Sequence, residues 1–406
     1  MIFGFIDNAE IEFLTANAGG LRTDGPTGER LAQVGFDPGI LRPVVDGDGK
    51  KYCLVANGRT KKGPNGKDVA DRDWIPLGRL IANGMVPAVY NASALPYQAW
   101  QMIDRAVIKA SRDRLNAWND LAAVSTYSGF NGMAITGIVK DTITDMGDAK
   151  VDMDTLSDDL NDAPLVTPDI LPLPIIHAGF NLSQRRLAVS RNSGMPLDTT
   201  GAEQCARRCA ETLEKITIGM TDLSSTVIGS STEFTRRGIY GFQTQPDRIT
   251  KTDVTASSSF DAETFVQEVI AMKELARAQK FYGPFVLYYS TTWDQYLARD
   301  YYVMTTSGAA APTKTVLQRV EEIKGISRVQ MLDFFTDTDE LLLVQMNSDT
   351  VRAVDGMDWT TVQWEEQGGA RINFRVMGIK VPDLRAQYVG TSTSTRKCGI
   401  VHGTTS

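Results

Sequence analysis

The stretch LPLPIIHAGFNLSQRRLAVSRNSGMPLDTTGAEQCARRCAETLEKITIGM, residues 171–220, fixes a strand, a turn-rich link and a long helix in that order, and the rest of the chain has to pack around them. Residues 173–187 alternate apolar and polar side chains, as a half-buried strand does. Residues 190–198 hold Gly194 and Pro196 and break the pattern. Residues 200–218 then take the period of a helix, with Thr200 and Glu203 at capping-box spacing. Ala202, Cys205, Cys209, Leu213 and Ile216 recur three or four residues apart and predict one buried stripe. Glu203, Arg207, Arg208, Glu211, Glu214 and Lys215 occupy the other positions, a flank expected to be solvated or to face a partner.

Several function classes fall away on composition. The 406 residues, 42% hydrophobic and 22% charged, suit an ordinary globular chain with one large core or two moderate ones. A net charge of -7 speaks against a general nucleic-acid binder, which neutralises phosphates with Lys and Arg, although an acidic chain can enclose DNA without gripping it. The two histidines, His177 in the strand and His402 in a polar tail, leave little material for His-based catalysis or a His-rich metal site. Cys53, Cys205, Cys209 and Cys398 are too scattered for a disulfide framework, and the Cys205/Cys209 pair reads as core thiols. Residues 63–67 lack Walker spacing and suggest an Asn-Gly hairpin turn, while Asp152, Asp154, Asp158 and Asp159 lack the glycine and terminal glutamate of a calcium loop. Nucleophile elbows, dinucleotide glycine patterns and zincin helices do not occur, so a hydrolase or transferase is disfavoured. No catalytic residue, cofactor or metal is expected. Without an apolar run of about eighteen residues, and with an opening MIFGFIDNAEIEF unlike a signal peptide, a cytosolic chain with no membrane partner is expected.

Along the chain, residues 1–93 are punctuated by AGGLRTDGPTGER, FDPGILRP, DGDGKK and KKGPNGK, which predicts an extended arm with little core of its own. Residues 95–121 read as the first long helix, with Trp100, Ile103, Val107, Ala110, Leu115 and Trp118 on its apolar face. Residues 133–169 are extended and polar and suggest a long β-hairpin with its turn at 146–148. A Ser/Thr/Gly-rich loop over 221–255 precedes a helix at 261–280, a strand at 285–289 and a short helix at 293–297. A small-residue loop at 301–313, a helix at 316–323 and strands at 326–332, 341–345 and 351–354 follow. Residues 371–384 alternate with a change of phase around Gly378, as in a bulged strand, and the polar end of the chain is expected to fray.

This series resembles the major capsid proteins of tailed bacteriophages with the Hong Kong 97 shell fold, and especially their encapsulin relatives. The resemblance covers roughly residues 95–384. It rests on AWQMIDRAVIKASRDRL, the polar hairpin in the place of that fold's extended E-loop, and the strand and long helix of residues 171–220, which look like the family's spine helix. RRGIYGF, GPFVLYYSTTWDQYL and INFRVMGIKVPDL follow in the family's order. Residues 1–93 are the departure: common encapsulins begin near the first helix, and an arm of this kind is more typical of a phage capsid protein.

The resemblance implies an α+β fold with an extended N-terminal arm (1–93), the first helix and link of a peripheral domain (94–132), the E-loop hairpin (133–170), the peripheral domain with its spine helix at 200–219 (171–260), a mainly axial domain (261–354), strands returning to the peripheral domain (355–389) and a flexible tail (390–406). It implies self-assembly into pentamers and hexamers of an icosahedral head around double-stranded DNA bound without sequence specificity, with a separate scaffold, portal and cement proteins as further partners. The virion capsid, assembled in the host bacterial cytoplasm, is the expected location. An encapsulin shell housing a cargo enzyme is the alternative. Subunit contacts are expected at Lys140, Asp141, Asp145, Lys150 and Asp152 of the hairpin, Arg207, Arg208 and Glu211 of the spine helix, and Tyr301 and Tyr302 of the later loop.

Overall fold

A computed structural model of the chain describes residues 42–46, 50–62, 68–77, 95–112, 115–144, 153, 166–185, 199–219, 238–301, 304–305, 308–309, 314–335, 339–366, 371–388 and 396–405. Ahead of residue 77, among the described residues, where Gly, Pro, Asn and Asp punctuate the sequence, the backbone forms β1 (Val44–Val45), β2 (Lys51–Lys62) and β3 (Asp68–Pro76). β2 and β3 pair antiparallel from Tyr52↔Pro76 to Lys62↔Asp68, so they make the expected hairpin; its turn, 63–67, lies outside the described residues.

β4 (Leu95–Pro96) leads into α1 (Tyr97–Arg112). The single helix expected over 95–121 is in fact two, because α2 (Asn116–Val124) starts afresh after Leu115, which has φ −105° and ψ 83°. No side chain of its own caps α2. A carboxylate from elsewhere does: Glu214 accepts the amide N–H groups of Asn116, Ala117 and Trp118 at 3.1, 2.6 and 3.2 Å.

Next come β5 (Thr126–Tyr127), β6 (Gly137–Ile143), β7 (Val166–Pro172), β8 (Ile176–Ser183) and the long helix α3 (Thr200–Ile218). The limits of α3 match the sequence reading, but its capping does not. Thr200 is already the first helical residue, so the N-cap falls on Thr199, whose hydroxyl donates to Glu203 at 3.2 Å and caps no amide. The far end closes on Gly219, at φ +92°, a left-handed conformation that glycine adopts without strain. The predicted stripe is buried, and so is a second row of Ala206, Ala210, Glu214, Thr217 and Ile218. Glu214 therefore does not belong to the solvated flank.

The remaining elements are β9 (Ile249–Lys251), α4 (Ala262–Ala278), β10 (Phe285–Ser290), α5 (Thr291–Leu297), the short strands β11 (Asp300–Tyr301), β12 (Met304–Thr305), β13 (Gly308–Ala309) and β14 (Lys314–Thr315), α6 (Val316–Glu321), β15 (Ile326–Leu332), β16 (Leu341–Gln345), β17 (Val351–Glu366), β18 (Arg371–Leu384), β19 (Ala386–Tyr388), β20 (Arg396–Cys398) and β21 (Ile400–Gly403). On α4, Phe265, Val269 and Met272 are buried as expected, whereas Leu275 is exposed and Ala276 takes the inward position.

A four-stranded sheet in the order β5-β17-β18-β8 carries α3, with α1 packed against that helix. Phe180 stacks on Phe374 at 5.0 Å, and Trp100 meets Phe374 edge-on at 6.3 Å. The ladder slips near Gly378, as the change of phase predicts, but the extra residues lie in β17 between Asp355 and Thr360. There the Trp359 ring covers Gly378 so closely that a Cβ would stand 2.6 Å from it.

A five-stranded sheet in the order β15-β10-β16-β21-β9 divides two cores. Val286, Tyr288, Leu342, Val344 and Ile400 face the core shared with α1, α2 and α3. Phe285, Leu287, Tyr289, Leu341, Leu343 and Val401 face the core built with α4, α5 and α6. Burial on both faces is why β10 and β16 are apolar almost throughout. The fraying tail is corrected here: β21 is an interior strand, antiparallel to β16 and parallel to β9, with Ile400 and Val401 fully buried. Two apolar residues among polar ones give no periodic signal, and the ladder on each side supplies the order. His402 is buried with them, while His177 lies on the exposed side of β8. All four cysteines are buried free thiols, and burial pushes those of Cys53, Cys209 and Cys398 up to about 12.

Candidate subunit interface

The stem of the long hairpin pairs β6 with β7 from Gly137↔Pro172 to Ile143↔Val166. Alternation gives it two unlike faces. Inward, Leu171 and Thr142 are buried and Ile138 packs against the first core. Outward, Val139 and Ile170 stand directly opposite each other and are 64% and 65% exposed, and Val166, four residues before Ile170 on the same face, is exposed as well. An isolated two-stranded hairpin is marginal in water, and β-branched residues paired in the open offer an apolar strip to whatever covers them. Asp145, Lys150, Asp152 and the expected turn at 146–148 lie outside the described residues.

Charged groups seat the base of this stem. Lys140, on the inward face, donates to the buried Asp383 carboxylate at 3.0 Å and to the Leu384 carbonyl at 3.4 Å. Asp383 also accepts from Arg352 at 3.3 Å and Arg385 at 3.4 Å. Asp169, the cross-strand partner of Lys140, lies 3.7 Å from Arg396, whose Nε is 3.4 Å from Asp247. A cavity of about 470 Å³ separates stem from body, lined by Lys140, Asp169, Gln245, Asp247, Arg385 and Arg396 among others. Lys140 thus turns into its own subunit, while its neighbour Asp141 is exposed.

The other expected contacts stand on separate elements. Arg207 and Arg208 are exposed on α3, and Arg208 reaches Glu211 one turn on at 3.4 Å. Tyr301, half-buried on β11, donates its hydroxyl to the Glu263 carboxylate, which raises the tyrosine's pKa and lowers that of the acid. Tyr302 lies outside the described residues. The outward pair Val139 and Ile170 was within reach of sequence reading through strand alternation. Asp383 and Glu214 were not, because their partners are remote along the chain.

Among the described residues no group of His, Cys, Asp or Glu is placed to hold a metal ion, and no helix is long and apolar enough to cross a membrane. The parts implied by the Hong Kong 97 resemblance occur in the expected order: an arm hairpin ahead of α1, the long hairpin, β8 feeding a long helix over the four-stranded sheet, and a second sheet with its own helices. This is an α+β layout.

The chain is similar to the virus-like particle from Pyrococcus furiosus (13% identity, covering 75% of this chain and 98% of that one, TM-score 0.49), to the capsid of Myoviridae phage XM1 (12%, 68% and 89%, 0.47) and to the capsid of a native GTA particle (14%, 71% and 90%, 0.46). No curated protein matches the sequence. A family profile does match, over residues 91–395, and the chain belongs to that family, described as a family of unknown function (DUF6260).

Proposed function

We propose that the chain is the major capsid protein of a tailed bacteriophage, a subunit that self-assembles into pentamers and hexamers of an icosahedral head enclosing double-stranded DNA. The observation that carries this reading is the stem of β6 and β7. Its outward face holds Val139 and Ile170 about two-thirds exposed, directly opposite each other, on an element that the described residues of its own subunit cover from one side only. A repeated neighbour supplies the missing cover, and many such modest contacts close a stable shell.

The arm supports the phage head over a nanocompartment. β2 and β3 form an extended hairpin ahead of α1, fastened to it where Arg42 meets Asp104 at 2.7 Å and the Trp100 indole donates to the Pro43 carbonyl at 3.1 Å. On this reading the core around the four-stranded sheet belongs to a peripheral domain, the core under α4, α5 and α6 to an axial one, and α3 is the spine between them. Asp141, Arg207, Arg208, Glu211 and Tyr301 are contact residues on three surfaces, joined by Asp145, Lys150, Asp152 and Tyr302. A net charge of -7 suits a wall that contains DNA without binding it tightly. No catalytic step is required, and scaffold, portal and cement proteins are the remaining partners of a virion assembled in the bacterial cytoplasm.

Electron microscopy of particles purified from the lysed host tests the proposal. Tailed, DNA-filled heads whose wall contains this chain are expected. Uniform, tailless, protein-filled shells would replace the phage reading with the nanocompartment, and a stable monomer at high concentration would overturn both.

A further inference from the structure

Lys140 and Asp169 face each other across β6 and β7, and each reaches an opposite charge on the body: Lys140 to Asp383 at 3.0 Å, Asp169 to Arg396 at 3.7 Å. We propose that this pair is a two-pronged anchor that fixes the direction in which the hairpin leaves the subunit, so that a second copy meets the outward strip of Val139 and Ile170 already formed. The anchor stands on the geometry of one subunit; only the second copy rests on the capsid reading.

The apolar contacts of the stem do not set its angle. Ile138 and Leu171 pack inward, but hydrophobic contact is non-directional, and a cavity of about 470 Å³ lies under the charged part of the stem. The charge-assisted hydrogen bond from Lys140 to Asp383 is directional, and with the 3.7 Å ion pair of Asp169 and Arg396 it brackets that cavity. The first prong is the stronger. The Asp383 carboxylate is 4% exposed and collects Lys140 from β6, Arg352 from β17 and Arg385 just after β18, so the stem, the long sheet and the exit from β18 meet at one buried charge. The second prong is longer, and its side chains are 32% and 51% exposed, so solvent weakens it. The polarity of the two prongs is opposite, positive stem to negative body and negative stem to positive body. A one-residue slip of β6 against β7 turns Lys140 to the outward face and breaks the first prong, so the anchor also holds the register. A hairpin held in this way loses little further freedom when it is covered.

Hydrogen exchange followed by mass spectrometry on the free, dilute subunit tests this, reading residues 137–143 and 166–172 against β10 and β16 as internal references. Lys140→Met should speed exchange of both stem strands about tenfold or more, and Asp169→Asn about two- to threefold, with the reference strands unchanged. Lys140→Arg should stay close to the parent. Unchanged stem exchange in Lys140→Met, or equal acceleration in β10 and β16, would overturn the anchor. If Lys140→Met does not fold, Asp169→Asn combined with Arg396→Gln decides, since both lie nearer the surface. Particle formation is scored separately by microscopy. A Lys140→Met subunit with a loosened stem that assembles as fast as the parent would overturn the preformed surface, and a parent subunit that never assembles would remove the capsid reading while the exchange result still decides the anchor.

Discussion

Glu214 Oε1 accepts the amide N–H of Ala117 at 2.6 Å, so the long helix α3 caps the short helix α2 from outside it. The amides of Asn116 and Trp118 point at the same carboxylate. One turn into α2, Asp120 accepts the Tyr288 hydroxyl at 2.8 Å and the Arg328 guanidinium at 2.8 Å, both from the five-stranded sheet. α2 is therefore pinned by α3 at its start and by the sheet along its flank. It is the piece through which the two halves of the first core hold each other.

That joint should be sensitive to pH. Burial raises the Glu214 carboxyl from its ordinary 4.5 to about 7; the three amides offset part of the rise and Asp120 adds to it. The folded chain then keeps a proton that the unfolded chain releases. Stability is fully present below about pH 4.5 and is lost as pH rises through 7, by roughly 3 kcal/mol at most. Glu214→Gln should flatten that window. Urea unfolding at pH 4.5, 6 and 8 checks it, and a parent curve as flat as the variant's would refute the assignment.

How much of this was legible depends on where the partner of each residue lies. The span of α3 was readable because its apolar stripe is a local signal, although the cap fell on Thr199 and not on Thr200. The row Ala202, Ala206, Ala210 at four-residue spacing runs on to Glu214 and Ile218 and marks a second buried face, but the charge at Glu214 reads as solvent-facing until the bare amides of α2 are known. The break between α1 and α2 is invisible for the same reason. β21 takes its order from β16 and β9, so its own composition misleads. At the interface, alternation places Val139 outward, whereas nothing near Lys140 in sequence announces Asp383.

The last turn of α3 depends on an approach that only glycine permits. The loop after Gly238 returns to donate the Phe242 and Gln243 amides to the Thr217 and Ile218 carbonyls at 3.0 and 2.8 Å, closing the helix end. A Cβ on Gly241 would stand 2.3 Å from the Gly219 nitrogen and 2.5 Å from the Ile216 carbonyl oxygen, all backbone that cannot turn aside. Gly241→Ala should cost about 3 kcal/mol or more, read as a lowered melting temperature or insoluble expression. A variant that melts with the parent would contradict this closure.

Removing residues 396–406 should abolish soluble expression. Deleting them strips β20 and β21, uncovers the edges of β16 and β9, and exposes Cys398, Ile400 and Val401 together with the side chains they cover on both faces of the sheet. Deleting Ser406 alone should leave the melting temperature unchanged. If the longer truncation stays soluble and melts normally, β21 is not an interior strand.

The outward strip of the hairpin gives a prediction that separates folding from assembly. Ile170 is 65% exposed and its cross-strand neighbour Val139 64%, so Ile170→Lys removes little buried area and its long aliphatic stem still suits a strand surface. Subunit stability should change by no more than about 0.5 kcal/mol in urea unfolding. Assembly should respond very differently, because each copy of the shell would bury an unpaired ammonium against apolar cover, at a cost of several kcal/mol repeated at every contact. Particles should vanish from sedimentation and microscopy while the free subunit keeps the parent's melting curve. Arg207→Ala, on the solvent side of α3, supplies the contrast, since loss of one rim charge weakens a contact without burying anything unpaired. If Ile170→Lys assembles like the parent, the strip faces solvent in the assembled state and the cover must be sought on another face of the subunit.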